Sequence, residues 1–153
     1  MRYVLFILLL CYATLSTAEG ARYVTTPYEE PKVVYDFYLD DPQKIHAALF
    51  WIRSLINPLM EEPYGFAPEM MDIKVVIHGA EIVTVAKKNY AKYKNAVDRM
   101  RYYASLGVEF KVCGLAAEDF DYALQDFQEF IEVVPSAFTE LVHWQQQGLS
   151  LIH

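Results

Sequence analysis

The residues best equipped for chemistry are a cysteine and a histidine, each placed where an apolar run gives way to a glycine. Cys113 follows Val108-Glu109-Phe110-Lys111-Val112 and precedes Gly114; His78 follows Ile73-Lys74-Val75-Val76-Ile77 and precedes Gly79. A thiolate is a strong nucleophile, favoured by backbone N–H groups at a helix start or by a nearby cation. An imidazole beside it supplies a proton shuttle or a counter-charge near neutral pH. The chemistry such a pair suits is nucleophilic attack or exchange by a thiolate, and it requires both side chains at one end of one sheet. Three roles for Cys113 remain open on the residues alone: a small apolar filler, an intermolecular partner, or a reactive group. For His78 the alternative is a hydrogen bond to a turn backbone. Glu81 could face the same place, although an acid in the first turn of a helix is already accounted for by the helix dipole.

Other constellations are weak. His46, His143 and His153 are scattered, and no His/Cys/Asp/Glu run has the tight spacing of a structural zinc site, which leaves only a site shared across subunits open to a metal. Gly79, Gly107 and Gly114 are isolated, so no phosphate-cradling loop supports a nucleotide or flavin, and no cofactor is expected. Ser136 lacks the G-x-S-x-G context of a hydrolase and reads as a helix cap. Lys87, Lys88, Lys92 and Lys94 read as a solvated helix face, with the neighbouring tyrosines as packing.

The N-terminus decides how many thiols count. Met1-Arg2, the apolar stretch Tyr3 to Leu10 and the small residues Ser16-Thr17-Ala18 read as a secretory signal peptide over residues 1–18, cleaved after Ala18. The apolar stretch falls short of the roughly 20 residues of a membrane span, so no stable membrane insertion is expected after cleavage, and the mature protein is expected in the periplasm or secreted. Cys11 leaves with the peptide, and Leu10 before it argues against lipidation. Cys113 is then the sole thiol. Cleavage removes Arg2 and no acid, so 13 basic residues become 12 against 20 acidic ones and the formal charge moves from −7 to −8. Nucleic acid is an unsuitable partner for such a chain.

The elements that must position Cys113 and His78 follow from periodicity and punctuation. Residues 19–31, with Pro27 and Pro31, read as an exposed arm before a single domain over residues 32–153. Lys32 to Leu39 is a β-branched and aromatic strand. Asp41-Pro42 starts a helix running to about Leu59, with Asp41 as cap and Pro42 at the first helical position. That helix carries two apolar stripes: Ile45, Leu49, Ile52 and Ile56, then Ala48, Trp51, Leu55 and Leu59. The second stripe suggests an apolar partner such as another subunit. A strand over Ile73 to Ile77 leads to a helical region broken near Asn89 and ended by Gly107. The third strand is Val108 to Val112. A helix over Ala116 to Phe127, a strand over Ile131 to Val134, a helix after Ser136 and a last strand over Leu149 to Ile152 complete the pattern. Alternating strands and helices imply a three-layer α/β/α sandwich around a mostly parallel five-stranded sheet.

Taken together, Gly107-Val108-Glu109-Phe110-Lys111-Val112-Cys113-Gly114, Val133-Val134-Pro135-Ser136 and Leu141-Val142-His143-Trp144-Gln145-Gln146-Gln147-Gly148 resemble the DsrE/DsrF-like (YchN-like) family. Asp41-Pro42 after the first strand and His78-Gly79 after the second add to the likeness, which covers about residues 32–153. The resemblance implies a five-stranded parallel sheet and assembly into dimers, trimers or hexamers. It also implies a cysteine, placed like Cys113, that carries sulfur as a persulfide between a donor and an acceptor protein. The sequence departs from that pattern in the acidic Glu118-Asp119 that follows the thiol and in the signal peptide. A second expectation therefore stands beside the first: a binding or assembly module in which Cys113 is structural.

Overall fold

The computed structural model describes residues 20–153; the signal-peptide reading of residues 1–18, and Cys11 with it, falls outside the described residues. Five strands form one all-parallel sheet in the order β4-β3-β2-β1-β5, with β1 at Lys32–Phe37, β2 at Asp72–Ile77, β3 at Glu109–Cys113, β4 at Ile131–Val134 and β5 at Ser150–Ile152. The α-helices are α1 at Ile45–Met60, α2 at Tyr90–Ser105, α3 at Gly114–Asp119 and α4 at Ala137–Gln146.

Each of the first three crossovers moves one strand in the same direction, so right-handed connection lays α1, α2 and α3 on one face. The return from β4 to β5 must cross the other face, and there α4 packs on β1, β2 and β5. Strand alternation sorts the side chains accordingly. Val33, Tyr35, Phe37, Val75, Ile77, Phe110 and Val112 are buried on the α1 side, where Tyr35 donates to the Trp51 carbonyl and Phe37 meets the Trp51 ring edge-on. Asp36, Lys74, Lys111 and, beyond the end of β2, His78 occupy the α4 side.

That second face is polar for a covered sheet, and its charges are paired. Lys74 bridges Asp72 at 2.9 Å and also Glu109; Lys111 bridges Glu109 at 3.0 Å and Glu132 at 2.5 Å. The Trp144 ring lies 4.6 Å from the Lys74 Nζ and 5.6 Å from that of Lys111, so α4 covers the ammonium groups with an aromatic face. Burial alone would lower both lysines and raise Glu109, but the paired charges win: both ammoniums are held above their ordinary range and the Glu109 carboxyl below its own.

Several expectations are refined here. Asp41 caps the first helix by accepting from Gln43 N–H at 2.8 Å, although the first turn from Pro42 is 3₁₀. Its two stripes differ in fate: Ile45, Ala48, Leu49, Ile52, Ile56 and Leu59 are all buried, whereas Leu55 is half-buried and Trp51 exposed. Most of the wide face is therefore consumed inside this chain. After β2 the expected long helix is a 3₁₀ segment over Ala80–Val85, a second 3₁₀ turn over Lys87–Asn89, and then α2. The break falls at Ala86, three residues before the expected Asn89: Ala86 is extended (φ −75°, ψ 131°) and bridges Phe127, while the Asn89 side-chain amide donates to the Val83 carbonyl at 2.8 Å and ties the two 3₁₀ turns together. Gly107 ends α2 at φ 97°, a conformation costly to any residue with a Cβ.

The helix expected over Ala116 to Phe127 is a correction: α3 begins at Gly114 and stops at Asp119. Asp121 takes φ 55° and turns the chain, and Asp126 accepts from Ala123 N–H to close a separate 3₁₀ turn at Leu124–Asp126. Ser136 has the extended dihedrals of a cap residue, but its hydroxyl makes no capping bond.

Candidate functional site

Above the carboxyl ends of β1 and β2 lies a crevice of about 690 Å³, lined among others by Tyr38, Lys44, His78, Ala116, Asp119 and Phe120. This is where open parallel sheets collect function, because loops diverge there and leave a gap between the strand ends and the helices.

His78 is the most constrained side chain at this site. Its Nε2 lies 2.6 Å from Asp36 Oδ1. Tyr38 stacks on the ring with centroids 4.9 Å apart, and Phe138 of α4 meets it edge-on at 5.7 Å. A carboxylate accepts and cannot donate, so the Nε2 carries the proton and Nδ1 is the acceptor of the neutral ring. An aspartate in the strand Lys32–Phe37 was the signal available beforehand, since a polar group in an otherwise apolar covered strand must find a partner. Alternation then leads from Asp36 to the histidine that follows β2.

The backbone beneath His78 is held by a residue that the dipole argument undervalues. Glu81 is fully buried. Its Oε1 accepts from Gly79 N–H at 2.9 Å and His78 N–H at 3.1 Å, and its Oε2 from Leu39 N–H at 2.8 Å. One carboxylate thus ties the exit of β1 to that of β2. Burial pushes this carboxyl above its ordinary range, against the downward pull of the three N–H groups. Gly79 is required by the same contact: a Cβ there would lie 2.5 Å from Glu81 Oε2, 2.5 Å from the Leu39 nitrogen and 2.6 Å from its oxygen.

Cys113 is a free thiol, 6% exposed, at the end of β3. The last β2–β3 pair is Ile77 with Val112, so His78 and Cys113 take the next facing positions, on the α4 side of adjacent strands. No hydrogen bond joins imidazole to thiol among the described residues, and Ala116 rather than Cys113 forms that part of the crevice wall. Gly114 permits a close approach rather than a special turn, since a Cβ there would meet the Val134 oxygen at 3.0 Å. Of the two acids after the thiol, Asp119 lines the crevice and Glu118 is exposed. His46 and His143 lie outside the crevice, and no group of three or more metal-ligating side chains is gathered among the described residues. No described helix is long and apolar enough to cross a membrane.

A family model for the DsrE/DsrF-like proteins matches residues 37–153, more than half of the chain. The chain belongs to the DsrE/DsrF-like family. This family is linked to sulfur relay. Among solved structures the DsrE-like chain is similar to the protein of unknown function MTH1491 from Methanobacterium thermoautotrophicum, at a TM-score of 0.64 and 20% identity, covering 80% of this chain and 98% of that one. At that identity the likeness establishes the α/β fold. None of the curated proteins matches.

Proposed function

We propose that this DsrE-like protein accepts sulfane sulfur as a persulfide on Cys113 and hands it to an acceptor protein, as a carrier rather than a multi-turnover enzyme. One juxtaposition carries the reading: Cys113 and His78 follow the last β2–β3 pair at the ends of adjacent strands, and His78 lines the crevice by which a donor would approach. The Cys113 thiolate attacks the outer sulfur of a donor persulfide, R–S–SH. The donor S–S bond breaks as the new one forms, R–S⁻ leaves and takes a proton, and Cys113 retains the –S–SH group with no net oxidation. In keeping with residues 1–18 as a signal peptide, the relay would operate outside the cytoplasm with a donor and an acceptor resident there.

Intact-mass spectrometry of the mature protein after incubation with polysulfide tests this. A sulfur adduct on the wild type that is absent from Cys113→Ser is the expected result. A thiol that accepts no sulfur in the native protein, yet is alkylated once the protein is denatured, overturns it.

A second reading, a binding or assembly module with a structural cysteine, is favoured by the 6% exposure of Cys113 and by Phe138 and Val142 on α4, 70% and 53% exposed. Light scattering addresses its assembly half, and a monomer at all concentrations counts against it.

A further inference from the structure

We infer that Asp36 is the positioning residue of this site, holding His78 as the Nε2–H tautomer so that Nδ1 is the ring's basic nitrogen toward Cys113, which follows the Val112 partner of Ile77 on the adjacent strand; the catalytic half of this, in which Nδ1 takes the thiol proton as the donor site closes, rests on the persulfide reading above. The grounds are geometric. The contact between Asp36 Oδ1 and His78 Nε2 is 2.6 Å, and both groups are largely buried, with 21% and 9% of their side chains exposed. The ring is further fixed by Tyr38 on one side and Phe138 at its edge, and its backbone by Glu81 and by the Phe37 carbonyl, so it has little freedom to exchange its nitrogens. With Nε2–H committed to a carboxylate, the only lone pair left on the neutral imidazole is on Nδ1.

In the step itself the Cys113 proton passes to Nδ1, giving thiolate and imidazolium, and the Asp36 carboxylate stabilises the imidazolium through Nε2–H. When the donor's S–S bond breaks, the departing thiolate takes the proton back from Nδ1 and the neutral tautomer is restored. No atom or electron is left over. Asp36 touches neither donor nor thiol and acts only through His78.

The test is ¹⁵N NMR of the His78 ring nitrogens in wild type, Asp36→Asn and Asp36→Glu, combined with single-turnover persulfide formation from polysulfide followed by mass. The wild type should show Nε2–H. Asp36→Asn, nearly isosteric, removes the carboxylate's charge and lets an amide N–H face Nε2, so it should shift the tautomer population toward Nδ1–H. It should also slow sulfur uptake about 10²-fold, the lower end of what a positioned base contributes. Asp36→Glu should retain the tautomer and recover most of the rate. A wild-type ring protonated on Nδ1 overturns the inference, as does an unchanged uptake rate in an Asp36→Asn protein whose tautomer population has shifted. Either failure leaves the carrier reading standing wherever Cys113 still takes up sulfur. Absence of any adduct on the wild type refutes that reading and the catalytic half of this one together, while the tautomer measurement still reports on the positioning half.

Discussion

Removing the Glu81 carboxylate should destabilise this protein by about 3 kcal/mol, and the figure follows from counting the donors it leaves behind. Three backbone N–H groups point at the carboxylate, but the His78 N–H also reaches the Phe37 carbonyl at 3.0 Å and keeps a partner. Two donors, those of Leu39 and Gly79, lose theirs. An unsatisfied buried donor costs about 1–3 kcal/mol, so Glu81→Ala is bounded at about 2–6 kcal/mol. Leu39 and Gly79 both border the crevice, where water can replace part of the lost bonding, which moves the expectation to the lower half of that range. Glu81→Gln keeps one acceptor oxygen and turns an NH₂ against the remaining N–H, so it should cost roughly half as much. Urea unfolding followed by circular dichroism reads this directly as a fall in midpoint at unchanged slope. A cost below about 1 kcal/mol for the alanine variant, or equal costs for alanine and glutamine, would refute the reasoning that hydrogen bonding rather than side-chain bulk holds the two strand exits together.

Gly79→Ala should lower stability by about 2 kcal/mol, the typical cost of forcing a group into a filled site. Because its clash is partly with Glu81 Oε2, a double-mutant cycle with Glu81→Ala should show a coupling of about 1 kcal/mol; strict additivity in urea melts would show that the clash lies with Leu39 alone. Glu109 governs the acid side. Its folded-state carboxyl is held below the unfolded value, so its stabilisation is present above about pH 4.3 and is lost as pH falls through the folded value. The stability gap between wild type and Glu109→Gln should therefore close on acidification below about pH 4, and a gap that stays constant there would contradict the pairing with Lys74 and Lys111. Glu81 has the opposite sign: its folded-state carboxyl is raised, so its share is greatest at acid pH and is lost as pH rises through the folded value.

The sequence alone determined the layers of this fold and the ends of most of its elements. Alternating apolar runs and amphipathic stretches, a capping Asp41 and a terminating Gly107 act over a few residues, so they can be read locally, and all five strands lie within two residues of their expected limits. The same local logic put His78 and Cys113 at strand exits. Where it overran, as in the helix carried on to Phe127, apolar spacing continued past a chain reversal at Asp121 that periodicity does not register.

What only the tertiary structure decided are the partners that come from distant segments. Asp36 and His78 are 42 residues apart and meet because β1 and β2 pair in parallel; Glu81 reaches Leu39 across the same pairing. A carboxylate's role depends on which donors surround it, and those donors arrive only when the strand order is set. The same holds for burial: an apolar strand end next to a helix start suits an accessible thiol and a packed one equally, and the assembled fold leaves Cys113 6% exposed.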